Sequence, residues 1–166
     1  IPWLLIGLLG GILGALVLGS HETQLSKITE LAFFIPLIAA MAGNVGVQSS
    51  AIVVQSIASG VRDIETTSKR LLKEVLVAVA TASIFAALIF LYNFFTQGNI
   101  NLTYSVSLSL FIVIIFASVF GSVIPMVLNK LKIDPALATG PFITTMNDVL
   151  GLFIYLGIGR LFFKII

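Results

Sequence analysis

Cysteine is absent from this 166-residue chain, and histidine and tryptophan occur once each. Without cysteine there is no disulfide and no thiolate metal site, and a single His21 cannot build a multi-histidine centre. Charge is scarce as well: Asp, Glu, Lys and Arg make up 10% of the residues. Soluble domains carry about 25%, so this chain cannot cover a water-facing surface, and a soluble enzyme is excluded. The nine basic residues give a net charge of +2 and a pI near 9.1, but they are scattered over several loops. They form no phosphate-binding stripe, which excludes a nucleic-acid binder. No phosphate-binding loop for ATP is present either. What fills the chain is apolar: 58% hydrophobic residues and a mean hydropathy of +1.15.

A helix needs about 20 apolar residues to cross a bilayer core. Runs of low charge at 2–19, 31–58, 75–95, 106–128 and 136–163 predict five transmembrane helices in a single all-α membrane domain. Strands are excluded because the runs lack alternation and exceed the roughly 10 residues of a barrel strand. Only helices then satisfy the backbone in lipid. The second and fifth runs are longer than a straight crossing requires and contain proline and polar residues, so tilts or kinks are expected there. Loops 59–74 and 129–135 hold Arg62, Lys69, Arg70, Lys73, Lys130 and Lys132, whereas the opposite side holds Lys27, Arg160 and Lys164. That asymmetry predicts a cell-membrane protein with a cytoplasmic N-terminus and an extracytoplasmic C-terminus. The chain opens at Ile1 directly into an apolar run, so a piece of a longer protein is expected. The run is too glycine-rich and too well matched by later spans for a signal peptide.

Polar chemistry enters the membrane at few places. In the first span, Gly7 with Gly11 and Gly10 with Gly14 are four apart, a spacing that serves close helix packing or a helix beside a pore. In the second, Asn44, Gln48 and Gln55 fall within about 40° of one another on a helical wheel, with Ser59 just beyond. Gly43 and Gly46 flank Asn44 and admit a close approach. The stripe reads either as helix–helix glue or as the wall of a water-lined path. Thr81 and Ser83 of the third span can bond back to their own helix, a scaffold role, and Ser118, Gly121, Ser122 and Pro125 of the fourth read as packing residues. The fifth begins with Asp134 and Pro135, an N-cap followed by the first helical position. Pro141 is expected to interrupt this helix and free the Leu137 carbonyl. Thr144 and Asp148 share a face with Pro141, Thr145 lies beside it, and Asn147 points about 100° away.

Asp148 is the one ionisable residue well inside a span, roughly midway along the fifth run. A charged Asp at that depth costs about 2.5–3.5 kcal/mol on insertion scales, so it needs a partner or water. No Lys, Arg or His inside the spans can pair with it. Either the carboxyl is protonated and bonded to Thr or Asn, or its partner is a cation. Carboxylate, amide, hydroxyl and carbonyl oxygens are hard ligands that suit Mg²⁺, Mn²⁺ or Ca²⁺. One Asp is thin for a divalent ion, but a homodimer with its two-fold axis beside the fifth span would supply two. Mg²⁺ sheds water reluctantly, so a largely hydrated ion is expected, held by Asp148, Thr144, Asn44 and carbonyls near Gly140. The membrane potential contributes about 2.3 kcal/mol per charge per 100 mV, enough to drive a dication inward.

Two segments carry a family likeness. FIPLIAAMAGNVGVQSS (34–50) and DPALATGPFITTMNDVLGLFIYLGIG (134–159) resemble the transmembrane domain of the MgtE family of magnesium channels, and the likeness spans essentially the whole chain. Its most specific element is the TTxxD of Thr144, Thr145 and Asp148. The resemblance implies a homodimer with a central pore lined mainly by the second and fifth helices. Gly43, Gln48 and Pro141 would then join the pore wall, Asp148 would form the central magnesium site with Thr145 beside it, and Asp134 would sit near the cytoplasmic mouth. It also implies cytosolic regulatory domains in the full-length protein, absent from this chain, that close the pore when magnesium is plentiful. The competing function is a proton- or sodium-coupled carrier in which Asp148 cycles its charge, although such relays usually show more than one intramembrane acid. A third is a purely structural membrane domain.

Overall fold

The structure, a computed structural model, describes residues 1–59, 67–96, 99–138 and 140–164, except the side chains of 67–70 and 138. Arg62 lies outside the described residues, as do the side chains of Lys69 and Arg70. The described chain is helical throughout. In order it forms α1 (Pro2–Ser20), α2 (Glu22–Lys27), α3 (Glu30–Phe33), α4 (Ile35–Ala58), α5 (Thr67–Thr96), α6 (Ile100–Lys130), a 3₁₀ turn (Pro135–Ala138) and α7 (Pro141–Phe163). Among the described residues five segments are long and apolar enough to cross a membrane: Pro2–Ser20, Glu30–Ala58, Leu71–Thr96, Ile100–Lys130 and Pro141–Phe163.

Where these bounds differ from the hydropathy runs, local chemistry explains it. α6 starts at Ile100, not 106, because the Asn99 side chain accepts from the amides of Asn101 and Leu102 at 3.1 and 3.3 Å and caps the helix early. Most of the expected 96–105 loop is therefore helix. The second run divides after Phe33, and Pro36 falls in the first turn of α4, where its missing N–H is harmless. The fifth run divides too. Pro141 does not interrupt a helix but opens one, behind Gly140 at φ 69° and ψ −137°, a conformation suited to glycine.

α6 is the central element, packed against α4, α5 and α7, while α1 leans on α7 alone apart from its junction with α2. Leu31, Phe34, Ile38 and Ala42 meet Val106, Leu110, Val113, Ile114 and Ala117 of α6 and Tyr155 and Leu156 of α7. Lipid is as apolar as these side chains, so close packing and buried hydrogen bonds hold the helices together. Tyr155 donates its hydroxyl to the Leu31 carbonyl at 2.8 Å, and Gln24 donates to the Leu156 carbonyl at 3.1 Å. Ser49 and Ser118 bond across α4 and α6 at 3.0 Å, consistent with packing on that face of the fourth span. Ser83 bonds back to Val79 at 2.7 Å, as its scaffold role requires. The outward surface is hydrocarbon: Leu4, Phe95 and Leu161 are 77–78% exposed.

Candidate functional site

α4 and α7 approach closely where glycine removes the side chain between them. A methyl group on Gly43 would lie 2.8 Å from Asp148 Oδ1 and 3.0 Å from Thr144 Cγ2. One helical turn on, Gly46 abuts the Asn147 amide and would bring a methyl within 3.1 Å of Ile143. These contacts put Asn44 of α4 beside Thr144 of α7, on the open side of the seam.

An open groove of about 610 Å³ runs there, lined by Asn44, Val47, Gln48, Gly140, Pro141, Thr144 and Thr145. Six residues expected at the site are thus brought together from two segments distant in sequence, around α4 and the start of α7. Asn44 and Gln48 are exposed to the groove with their amides available. Thr144 is committed: its hydroxyl donates to the Gly140 carbonyl at 3.2 Å, and its amide donates to the same oxygen at 3.1 Å. The N-terminus of α7 also faces this end, with roughly half a positive charge from its dipole. A cation here must therefore rely on amide oxygens and on a carboxylate.

That carboxylate opens on an adjoining space. Asp148 lines a cavity of about 370 Å³ between α1 and α7, with Gly7, Gly10, Gly11, Gly14, Ala15, Leu18, Thr145, Val149 and Leu152. Thr145 borders both spaces, and its γ-methyl seats against Gly10. Asp148 is partly buried, and its Oδ1 has no hydrogen-bond partner among the described residues. It is not midway along its helix. It lies seven residues beyond Pro141, roughly 11 Å into a helix of about 35 Å. Among the described residues no three His, Cys, Asp or Glu side chains converge, and Asp148 is the one carboxylate lining either space.

Asp134 stands apart from both spaces. It is exposed and caps the 3₁₀ turn, accepting from the Ala136 amide at 2.9 Å. Gln55 is exposed, outside the groove, and Ser59 bonds to the Ser56 carbonyl at 3.0 Å. Two further residue groups border the site. The α1 wall facing Asp148 was signalled in sequence by its glycine spacing alone. Asn147, which points about 100° away from the threonine face, is wholly buried at the α4–α7 seam.

Residues 35–158 match the profile of the MgtE family, described as a divalent cation transporter. The chain is similar to the magnesium transporter MgtE of Bacillus subtilis, 36% identical over 162 residues, which cover 98% of this chain and 36% of that protein. The Enterococcus faecalis protein of the same name is 34% identical over 99% of this chain, and that of Thermus thermophilus 32% over 97%. In each case the chain spans 36% of the relative's length.

Proposed function

The chain belongs to the MgtE family of divalent cation transporters, and from that premise we propose that two copies form a channel passing hydrated Mg²⁺ inward. The paired Asp148 carboxylates form the central ion site on the two-fold axis. One observation carries this reading: Oδ1 of Asp148 is buried, within a helix long and apolar enough to cross a membrane, without a partner among the described residues. A buried acid in that setting needs either a proton or a cation. The amides of Asn44 and Gln48 and the Thr145 hydroxyl lie in the spaces on either side, and all are hard donors to an ion that keeps its water. Outer-shell contacts of this kind also let the ion leave, which conduction requires. Mn²⁺ and Ca²⁺ share the donor preference and compete for the same site. The name of all three relatives, magnesium transporter, supports Mg²⁺ as the cargo. The chain spans 36% of each relative's length, which leaves room in a full-length protein for the cytosolic regulatory domains that the family likeness implies.

The deciding experiment is Mg²⁺ titration and flux in reconstituted vesicles, for the native chain and for Asp148→Ala. Saturable binding should vanish in the variant while its folding survives. Binding retained at native affinity would place the site elsewhere. Current should reverse at the Mg²⁺ equilibrium potential; flux that instead collapses on removing the proton gradient would make Asp148 the coupling acid of a carrier.

A further inference from the structure

Asn147 is fully buried, and neither its amide nitrogen nor its oxygen has a hydrogen-bond partner among the described residues. Burying an amide unbonded costs free energy that hydrocarbon would not. A junction shaped only for stability would be filled by an apolar side chain, so this amide sits where local stability has been given up. Its surroundings show what it touches. The amide nitrogen presses on Gly46 of α4, where no Cβ fits, and the Gly46 carbonyl in turn presses on Gly121 of α6. Asn147 is thus wedged at a three-helix junction and backed by a helix that cannot yield without moving the core. Asp148 follows it directly on α7, and Gly43, three residues before Gly46, is what Asp148 leans on.

We propose that Asn147 is a positioning residue for the ion path: its wedge against Gly46 sets the rotation of α7 and its separation from α4. It thereby sets the gap between Asp148 and Thr144 on one side and Asn44 on the other. Asn147 itself lines neither the groove nor the cavity, so it acts through α4 and not on the ion. The proposal rests on the reading that Asp148 holds the ion. Gly46→Ala overfills the junction, Asn147→Ala underfills it, and the double variant exchanges one volume for the other.

The test is Mg²⁺ half-saturation and the Mg²⁺/Ca²⁺ flux ratio in reconstituted vesicles, with thermal unfolding measured alongside. Each single variant should raise half-saturating Mg²⁺ by about tenfold and lower the flux ratio, and the double should return both to within about threefold of native, the non-additivity expected of residues in contact. Singles that shift only the unfolding temperature, or a double as impaired as the sum of its parts, would overturn the proposal. If Gly46→Ala does not fold, Asn147→Ala decides alone: native half-saturation and flux ratio refute the role, and a loosened pair supports it. Asp148→Ala in the same assay separates the two ideas, because native Mg²⁺ binding there defeats the ion-site reading whatever the Asn147 series gives.

Discussion

The smallest groups at the site set its tightest tolerances. Gly43 is where α4 meets the Asp148 carboxylate, and the 2.8 Å between a built methyl and Oδ1 is below any real Cβ contact. Gly43→Ala must displace the carboxylate or push the helices apart. We expect it to weaken Mg²⁺ binding by about tenfold, or 1.4 kcal/mol, while the chain stays folded. Isothermal titration checks this, and unchanged affinity would mean that Asp148 binds from another rotamer. Thr144 makes a different point. Its hydroxyl spends its proton on the Gly140 carbonyl, which holds the unusual turn that starts α7. Thr144→Val keeps the outline and removes that bond, for a stability loss of about 0.5–1.5 kcal/mol. Selectivity should fall more than the unfolding temperature does; an undetectable variant would mark the hydroxyl as structural.

At the scale of elements, α1 and α7 form a seam with two unequal sides. On α1 only Gly10 and Gly14 are buried; Ile6, Val17 and Leu18 are half-buried and the other residues are exposed. The Thr145 γ-methyl occupies the space a Gly10 side chain would need, whereas nothing lies within 4 Å of a methyl on Gly7. Gly10→Ala should therefore destabilise the chain by about 1–3 kcal/mol through overpacking. Thr145→Ser removes the offending methyl and should restore the unfolding temperature when combined with it. Gly7→Ala, by contrast, should be neutral or stabilise by about 0.4–1 kcal/mol, because the helix is already formed there and the unfolded chain loses freedom. Equal losses at Gly7 and Gly10 would show that the seam is not as described.

In the proposed dimer each copy presents one acid, Asp148, to a dication, and the pair completes the charge. The chain has no cysteine, so Asp148→Cys introduces a single thiol. Across a two-fold pore, two such thiols should be joined by a short bifunctional reagent, giving a covalent dimer on a denaturing gel. A cysteine at Leu161, 77% exposed on the outer surface of α7, provides the comparison. Cross-linking that is absent at position 148 with every reagent length, yet present at 161, would remove the axis from α7's inner face.

That five runs are long and apolar enough to cross a membrane, and that one acid stands inside such a run, could be read from residue types alone. Hydrocarbon cannot satisfy a bare backbone, so an uncharged run of sufficient length must become a helix, and one unpaired acid in such a run stands out against everything around it. That Asn44 and Gln48 share one face of their helix, and Thr144 and Asp148 one face of theirs, was likewise legible, because residues four apart lie together whatever the helix packs on. Packing decided the remainder. Nothing in the spacing of α7 says that its first turn starts at Pro141, since that depends on a single glycine with positive φ. Nothing says that Asp148 opens toward α1 while Thr144 faces α4, nor that Asn147 is buried. Those outcomes follow from which helix lies against which face, a choice made by contacts between residues more than 100 positions apart, where periodicity along one helix carries no information.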